Sequence, residues 1–169
     1  MLGGRLIRGA QMNAGALGSM PMEERDPQGR PAQLLHLASA IHLERMLDAA
    51  GLGGPKRLSD PPIPAREAVF DAWADVAAPA LARAAIAALS VFDFQAVVID
   101  GVIWDGWRRR LMHRVADEMK LFNRAGLTGA MVSTGSIGPS ASVLGAALLP
   151  LHERFSPDPD LIAATRSVG

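Results

Sequence analysis

Gln95-Ala96-Val97-Val98-Ile99-Asp100-Gly101 is the stretch on which the fold turns. A short β-branched run that stops at Asp-Gly reads as a buried parallel strand, because strands covered on both faces are apolar without alternation. A second run of the same kind, Ala130-Met131-Val132-Ser133-Thr134-Gly135, follows. Between the two, Trp107 to Asn123 has Leu111, Val115, Met119 and Phe122 at helical spacing, with Arg109, Arg110 and Lys120 mostly on the other side. Ser136 to Pro139 reads as a turn, and Ser140 to Leu149 as a helix of small residues. Strand, helix, strand, helix in that order implies an α/β fold with parallel strands and right-handed crossovers. Ligands of open α/β sheets bind beyond the carboxyl ends of the strands, so Asp100-Gly101 and Thr134-Gly135 are expected beside any site.

Upstream lies a helical block. Gln33 to Ala50 places Leu34, Leu37, Ile41 and Leu47 at helical spacing, and Gly51 closes it as a C-cap. The Pro/Gly-rich connector from Gly53 to Pro64 cannot be helical. Ala65 to Ala78 predicts a second helix with Val69, Phe70, Trp73 and Val76 on one face. Pro79 predicts the first turn of a third, running to about Ser90. That third helix is rich in Ala, which permits close packing against a sheet or another helix. At the front, Leu6-Ile7 between glycines looks like one arm of a hairpin whose other arm is missing, an edge that needs covering.

Composition narrows the chemistry. The 169 residues balance 17 Lys+Arg against 17 Asp+Glu, which argues against a basic nucleic-acid module. The length suits one domain with a full core. With no Cys, thiol nucleophiles and Cys-based zinc sites are excluded, leaving four His beside the carboxylates. His36 and His42 are six apart, not the three or four that would stack them on a helix, and His113 and His152 are isolated. No metal site is expected. The start, Met1 to Arg5, is a poor signal peptide, and the longest apolar run, Ala77 to Leu89, is interrupted by Pro79 and Arg83. A soluble, cytoplasmic protein is expected.

Several residues allow both a chemical and a structural reading. Asp100 follows a strand and can serve as an acid or base, or simply make the turn. The backbone amides from Ser133 to Gly138 can contact a nucleotide or sugar, or only turn the chain onto a helix. Ser133, Ser136, Ser140 and Ser142 have no nearby base and no nucleophile-elbow pattern. Trp104 and Trp107 can stack on a ring or pack the core. Arg108-Arg109-Arg110 point in different directions around a helix, so a solvated face is expected in preference to a phosphate clamp.

Asn13-Ala14-Gly15-Ala16-Leu17-Gly18-Ser19-Met20-Pro21-Met22, preceded by Leu6-Ile7-Arg8-Gly9, resembles the sugar-site signature of the ROK family of bacterial repressors and sugar kinases. Ala38-Ser39, Val97-Val98-Ile99-Asp100-Gly101 and Val143-Leu144-Gly145-Ala146-Ala147 match further family segments in order, so the resemblance covers residues 3 to about 152. It implies an actin-like ATPase (ribonuclease H-like) fold of two α/β lobes with sugar bound between them. This chain looks like the second lobe only, N-terminally truncated: residues 1–152 a C-terminal lobe and 153–169 a tail. The family's phosphate-binding turn, acceptor-activating Asp and DNA-binding segment have no counterpart, so no catalytic residue is expected. Sugar-binding positions carried over are Asn13, Gly15 and Ser19; nucleotide-binding positions, if nucleotide binding is retained, are Gly101, Gly135 and Gly145.

Departures from the family pattern are as informative. The signature's Glu and His, which hydrogen-bond sugar hydroxyls, are Ala16 and Ser19 here, and a further sugar-contacting Glu falls near Leu35. The Cys-rich zinc loop would lie between Glu23 and Pro31. The nucleotide motif's Gly-Gly is Asp100-Gly101, which puts a carboxylate near the phosphates of any ATP. The resemblance is therefore to zinc-less, regulator-like members: an effector-binding and dimerising half of a transcriptional regulator. It implies a sugar or sugar-phosphate effector, a homodimer, no cofactor, no membrane and no direct DNA contact. The alternative is the C-terminal half of an ATP-dependent sugar kinase, inactive alone.

Overall fold

A computed structural model describes residues 9–155. The Leu6-Ile7 strand and residues 156–169 of the expected tail lie outside the described residues. The two strands read first are present and parallel: β3 (Ala96–Ile99) pairs with β4 (Met131–Thr134) in the register Ala96↔Met131 to Ile99↔Thr134. They are joined through α4 (Asp105–Leu121), and α5 (Ala141–Phe155) follows β4 after a turn of 3-10 helix at Gly138–Ser140. Ahead of this unit come a hairpin, β1 (Pro21–Arg25) with β2 (Pro31–Gln33), and three helices, α1 (Leu34–Ala38), α2 (Ala40–Ala49) and α3 (Pro64–Phe92).

Among the described residues the two parallel strands are covered on one face only. Val97, Ile99 and Val132 pack against the main core, while Val98 is 61% and Met131 66% exposed. An unbroken β-branched run cannot distinguish a strand covered twice from one covered once, and here one face is open.

The single helix expected over residues 33–50 is interrupted. Ser39 is extended, at φ −76° and ψ 148°, and its hydroxyl accepts the His42 amide at 3.2 Å as the N-cap of α2. Ser favours this role because its side chain competes with the helical hydrogen bond. The break resets the buried face: Leu43 and Leu47 are fully buried, while Ile41 turns out to solvent. Gly51, at φ 70°, ends α2 in the left-handed conformation expected of a C-terminal glycine. Its amide bonds the Asp48 carbonyl and that of Leu52 the Leu47 carbonyl, a complete Schellman motif.

Conversely, the two helices expected on either side of Pro79 are one helix of 29 residues. An internal proline removes the bond to the Asp75 carbonyl and crowds that turn. Around it, however, Ala77, Ala78, Ala80, Ala82, Ala84 and Ala85 are all buried, and their small side chains let neighbours close on the helix from several sides. Met22 and Leu34, from the hairpin and α1, sit against Ala80 and Ala84. Phe70, Trp73 and Ala74 belong to the main core with Leu111, Val115 and Met119 of α4, whereas Val76 is exposed. By length and composition α3 is apolar enough to cross a membrane, unlike the shorter run read from the sequence. In this fold it is the central helix, its aromatic face buried against α4.

α3 and α4 are also tied by charge. Glu67, Asp71 and Asp75 form one row at helical spacing and Arg110 and Arg114 the facing row. Arg110 bridges Glu67 and Asp71, while Arg114 bonds Asp71 at 2.8 Å and Asp75 at 2.6 Å. Beneath them Trp107 is fully buried, stacked on Phe70 with centroids 4.7 Å apart, and its Nε1 donates to Glu67 at 3.2 Å. Trp107 is thus core packing and not a ring platform.

Candidate functional site

The carboxyl ends of β3 and β4 carry one concentrated polar arrangement, centred on Asp100. Parallel pairing continues past the strands through the Gly135 amide, which donates to the Ile99 carbonyl at 2.9 Å. This holds Asp100 against the turn that follows β4. Oδ1 of Asp100 accepts the Gly101 amide at 2.8 Å and the Gly138 amide at 3.0 Å. Oδ2 accepts the Ile137 amide at 3.1 Å and approaches Gly138 at 3.2 Å. The Arg108 guanidinium completes the set, with Nη1 donating to Oδ1 and Nη2 to Asp105 at 3.0 Å.

Local sequence explains the convergence. Gly138 has φ +63°, a left-handed turn that aims its amide and that of Ile137 back at β3. At Gly135 the backbone is not left-handed, and the restriction is space. A Cβ there would stand 2.6 Å from Asp100 Cβ and 2.5 Å from Cγ. Arg108 arrives from one turn inside α4. It is 8% exposed, and its Nε is buried with no hydrogen-bond partner among the described residues.

The electrostatics fix the protonation state. The Gly101 amide, then those of Ile137 and Gly138 and the Arg108 charge, hold the Asp100 carboxyl below its ordinary value against the opposing effect of desolvation. An ionised carboxylate with both oxygens already bonded is a weak base.

One sequence expectation is corrected here. Of the amides after β4, those of Ile137 and Gly138 bond the chain's own Asp100. Arg108-Arg109-Arg110 is not a solvated face: Arg108 is buried on Asp100, Arg110 bridges Glu67 and Asp71, and only Arg109 is exposed, paired with Asp105 along α4. A signal existed. Arg108, Leu111, Val115 and Met119 fall on one helical stripe, and an arginine on the buried stripe needs a buried partner.

Of the nucleotide positions, Gly101 and Gly135 meet at Asp100, while Gly145 lies on the exposed surface of α5 with nothing within 4 Å of a Cβ position. Asn13, Gly15 and Ser19 share one exposed loop, closed by a 3-10 turn at Leu17–Ser19 that packs beside α1. In that turn the Ser19 amide bonds the Ala16 carbonyl at 3.0 Å, and Gly15 is left-handed at φ +83°.

Where the resemblance would put a zinc loop, Asp26 organises the turn between β1 and β2. Asp26 Oδ1 accepts the Gln28 and Arg30 amides at 2.9 Å and Oδ2 the Arg30 Nε at 2.9 Å. Desolvation works to raise the Asp26 carboxyl, but these bonds outweigh it and leave it lowered. Among the described residues no three His, Asp or Glu converge as metal ligands, and His36 Nδ1 is engaged by the Gln33 amide at 3.2 Å.

No protein-family model matches this chain, and no curated protein sequence matches it. Among solved structures, the chain is similar to a ROK hexokinase from Thermus thermophilus, with a TM-score of 0.55 and 21% identity. The match covers 88% of this chain and 51% of that one, so the chain spans about half the length of the hexokinase. The likeness is one of fold: a mixed arrangement of helices and strands shared with about half of that hexokinase.

Proposed function

We propose that this chain is the sugar-effector-binding and dimerising half of a ROK-type transcriptional regulator, acting in the cytoplasm and making no direct contact with DNA or membrane. The observation that carries the regulator reading is the Asp100 carboxylate seated on the Gly101, Ile137 and Gly138 amides. A nucleotide phosphate arriving at those strand ends meets a fixed negative charge, so ATP-dependent transfer is disfavoured, while a sensor has no need of it. The exposed loop carrying Asn13, Gly15 and Ser19 is the proposed contact for a sugar or sugar phosphate, with Asn13 and Ser19 supplying hydrogen bonds to hydroxyls. Dimerisation is supported by α5, where Leu144, Leu148, Leu151 and Phe155 are 43–69% exposed at spacings of four, three and four, an apolar seam suited to a second copy.

The test is titration calorimetry of the chain against a panel of hexoses, amino sugars and their phosphates, with light scattering for mass. Saturable heat with one ligand class and a dimeric mass supports the reading. ATP-dependent phosphorylation of any of these sugars sinks it.

One observation favours a second reading: the similar structure is that of a hexokinase. On that reading the chain is the C-terminal half of a sugar kinase, inactive alone, with Gly101, Gly135 and Gly145 near the nucleotide. It requires the chain to bind ATP measurably, which the regulator reading does not.

A further inference from the structure

We propose that His36 is a pH-sensitive clasp. As the neutral imidazole it ties the end of β2 to the first turn of α1 and seats the loop of residues 13–19; as the imidazolium it releases both. The proposal concerns the placement of that loop and does not rest on the loop binding a sugar.

The chain passes from β2 straight into α1 at Gln33. Gln33 is the N-cap, extended at φ −93° and ψ 152°, and its side chain accepts the His36 amide. In return His36 Nδ1 accepts the Gln33 amide at 3.2 Å. This is a capping box closed by a histidine where Glu or Gln ordinarily stands. A Glu or Gln side chain keeps an acceptor oxygen at every pH, and imidazole does not. Accepting at Nδ1 places the single hydrogen of the neutral ring on Nε2. A second proton has only Nδ1 to occupy, so donor then faces donor and the bond is lost.

What the clasp holds follows from its neighbours. With five residues, α1 is too short for its own hydrogen bonds to fix it. The Leu34 amide bonds the carbonyl of Met20, the residue that closes the 3-10 turn at Leu17–Ser19. Within that turn Gly18 lies so near α1 that a Cβ on it would stand 3.5 Å from Leu35 Cβ. Both contacts, at Leu34 and Leu35, fall inside the span that the Gln33–His36 box closes.

The charges around the ring give an added proton no free partner. His36 lines an open cleft with Arg25, Asp26 and Arg30 of the hairpin. Asp26 is the one carboxylate lining it, and its oxygens already accept the Gln28 and Arg30 amides and Arg30 Nε. Glu23 and Glu24 of β1, and His42, Glu44, Arg45 and Asp48 of α2, do not line this cleft. α3 meets α1 through Ala80, Leu81 and Ala84, and its Arg83 is paired with Glu23. The 3-10 turn and β2 carry no charged residue.

A titration of the isotope-labelled chain from about pH 8 to about pH 5 spans the ordinary range of imidazole. It follows the His36 ring and the Gln33, Gly18 and Ser19 amides in the parent, His36→Gln and His36→Ala. In the parent the three amides are expected to move with the ring at one shared midpoint. His36→Gln keeps an acceptor that does not titrate, so its amides stay near the high-pH positions throughout. His36→Ala has no acceptor, and its amides stay near the low-pH positions. At about pH 7.5 the Gln33 amide of His36→Ala should exchange with solvent about fivefold faster than that of His36→Gln, as expected for one lost cap bond. Should His36→Ala not fold, the parent and His36→Gln decide the question alone. A titrating ring beside a flat Gln33 amide would overturn the clasp. Gly18 and Ser19 resonances that ignore the ring would overturn its hold on the loop, and a transition surviving in His36→Gln would overturn it by assigning the change to another histidine.

Discussion

Gly135→Ala isolates the fit of Asp100 against the turn after β4. The backbone at Gly135 is not in the left-handed region, so alanine is conformationally permitted there. Replacing glycine at such a position restricts the unfolded chain and by itself stabilises by about 0.4–1 kcal/mol. Space opposes this. The three atoms nearest the new Cβ all belong to the Asp100 side chain, with Cγ at 2.5 Å and Cβ at 2.6 Å. Asp100 cannot move aside without lengthening its bonds to Gly101, Ile137 and Gly138. Forcing a carbon into a filled site costs about 1–3 kcal/mol, so Gly135→Ala is expected to destabilise by roughly 0.5–2 kcal/mol net. With Asp100→Gly already in place, all three obstructing atoms are gone, and the same alanine is expected to stabilise by about 0.4–1 kcal/mol. The sign reverses between the two backgrounds. Urea unfolding of the four proteins, compared at constant slope, measures both effects and their coupling. An equal cost in both backgrounds, or a stabilising alanine in the parent, would refute the argument that Asp100 is fixed against this turn.

Acid unfolding should report the same carboxylate. Asp100 is lowered in the folded chain, so its contribution to stability is complete above the unfolded value near 3.8 and is lost as pH falls through the lower folded value. Asp26 acts in the same direction. Stability measured by urea from pH 2 to 6 is therefore expected to fall below about pH 4, and Asp100→Asn to flatten that slope. In the core, Trp107→Ala removes a fully buried ring stacked on Phe70 and should cost about 3–5 kcal/mol. Trp107→Phe keeps an aromatic face for Phe70 but loses the bond to Glu67, costing far less in the same unfolding assay. Similar costs for the two would show that the stack contributes little.

Legibility of the fold followed the range of the interactions involved. β3, α4 and β4 were readable because their signals are local and agree: β-branched runs ended by Asp-Gly and Thr-Gly, with an amphipathic run between. The break at Ser39 and the continuity through Pro79 were misread in opposite directions for one reason. Ser39 lies in a run of good helix formers, and only its capping of His42 shows that the helix stops there. Pro79 carries a strong helix-breaking signal, and burial of the alanines around it overrides that signal. The hairpin β1–β2 was overlooked because its turn is built by Asp26 bonding residues two and four ahead, without an Asn-Gly or Asp-Gly pair.

The site was legible in its parts and not in their relation. In the sequence Asp100 stands out as a departure, the amides after β4 as contacts for a nucleotide or sugar or as a plain turn, and Arg108 as one of three arginines. Each alone carries a bland reading. Sequence spacing does not reveal that residues 100, 108 and 137–138 share one point, because parallel pairing brings the two strand ends together only after α4 has crossed over. Once they meet, each constrains the others. A buried arginine needs an anion, two amides aimed back at a strand end need an acceptor, and an aspartate there without them would face desolvation alone. Asp100 answers all three demands at once. Its removal must therefore leave three segments with unmet donors, which is why Asp100 is the residue on which the folding of this corner depends.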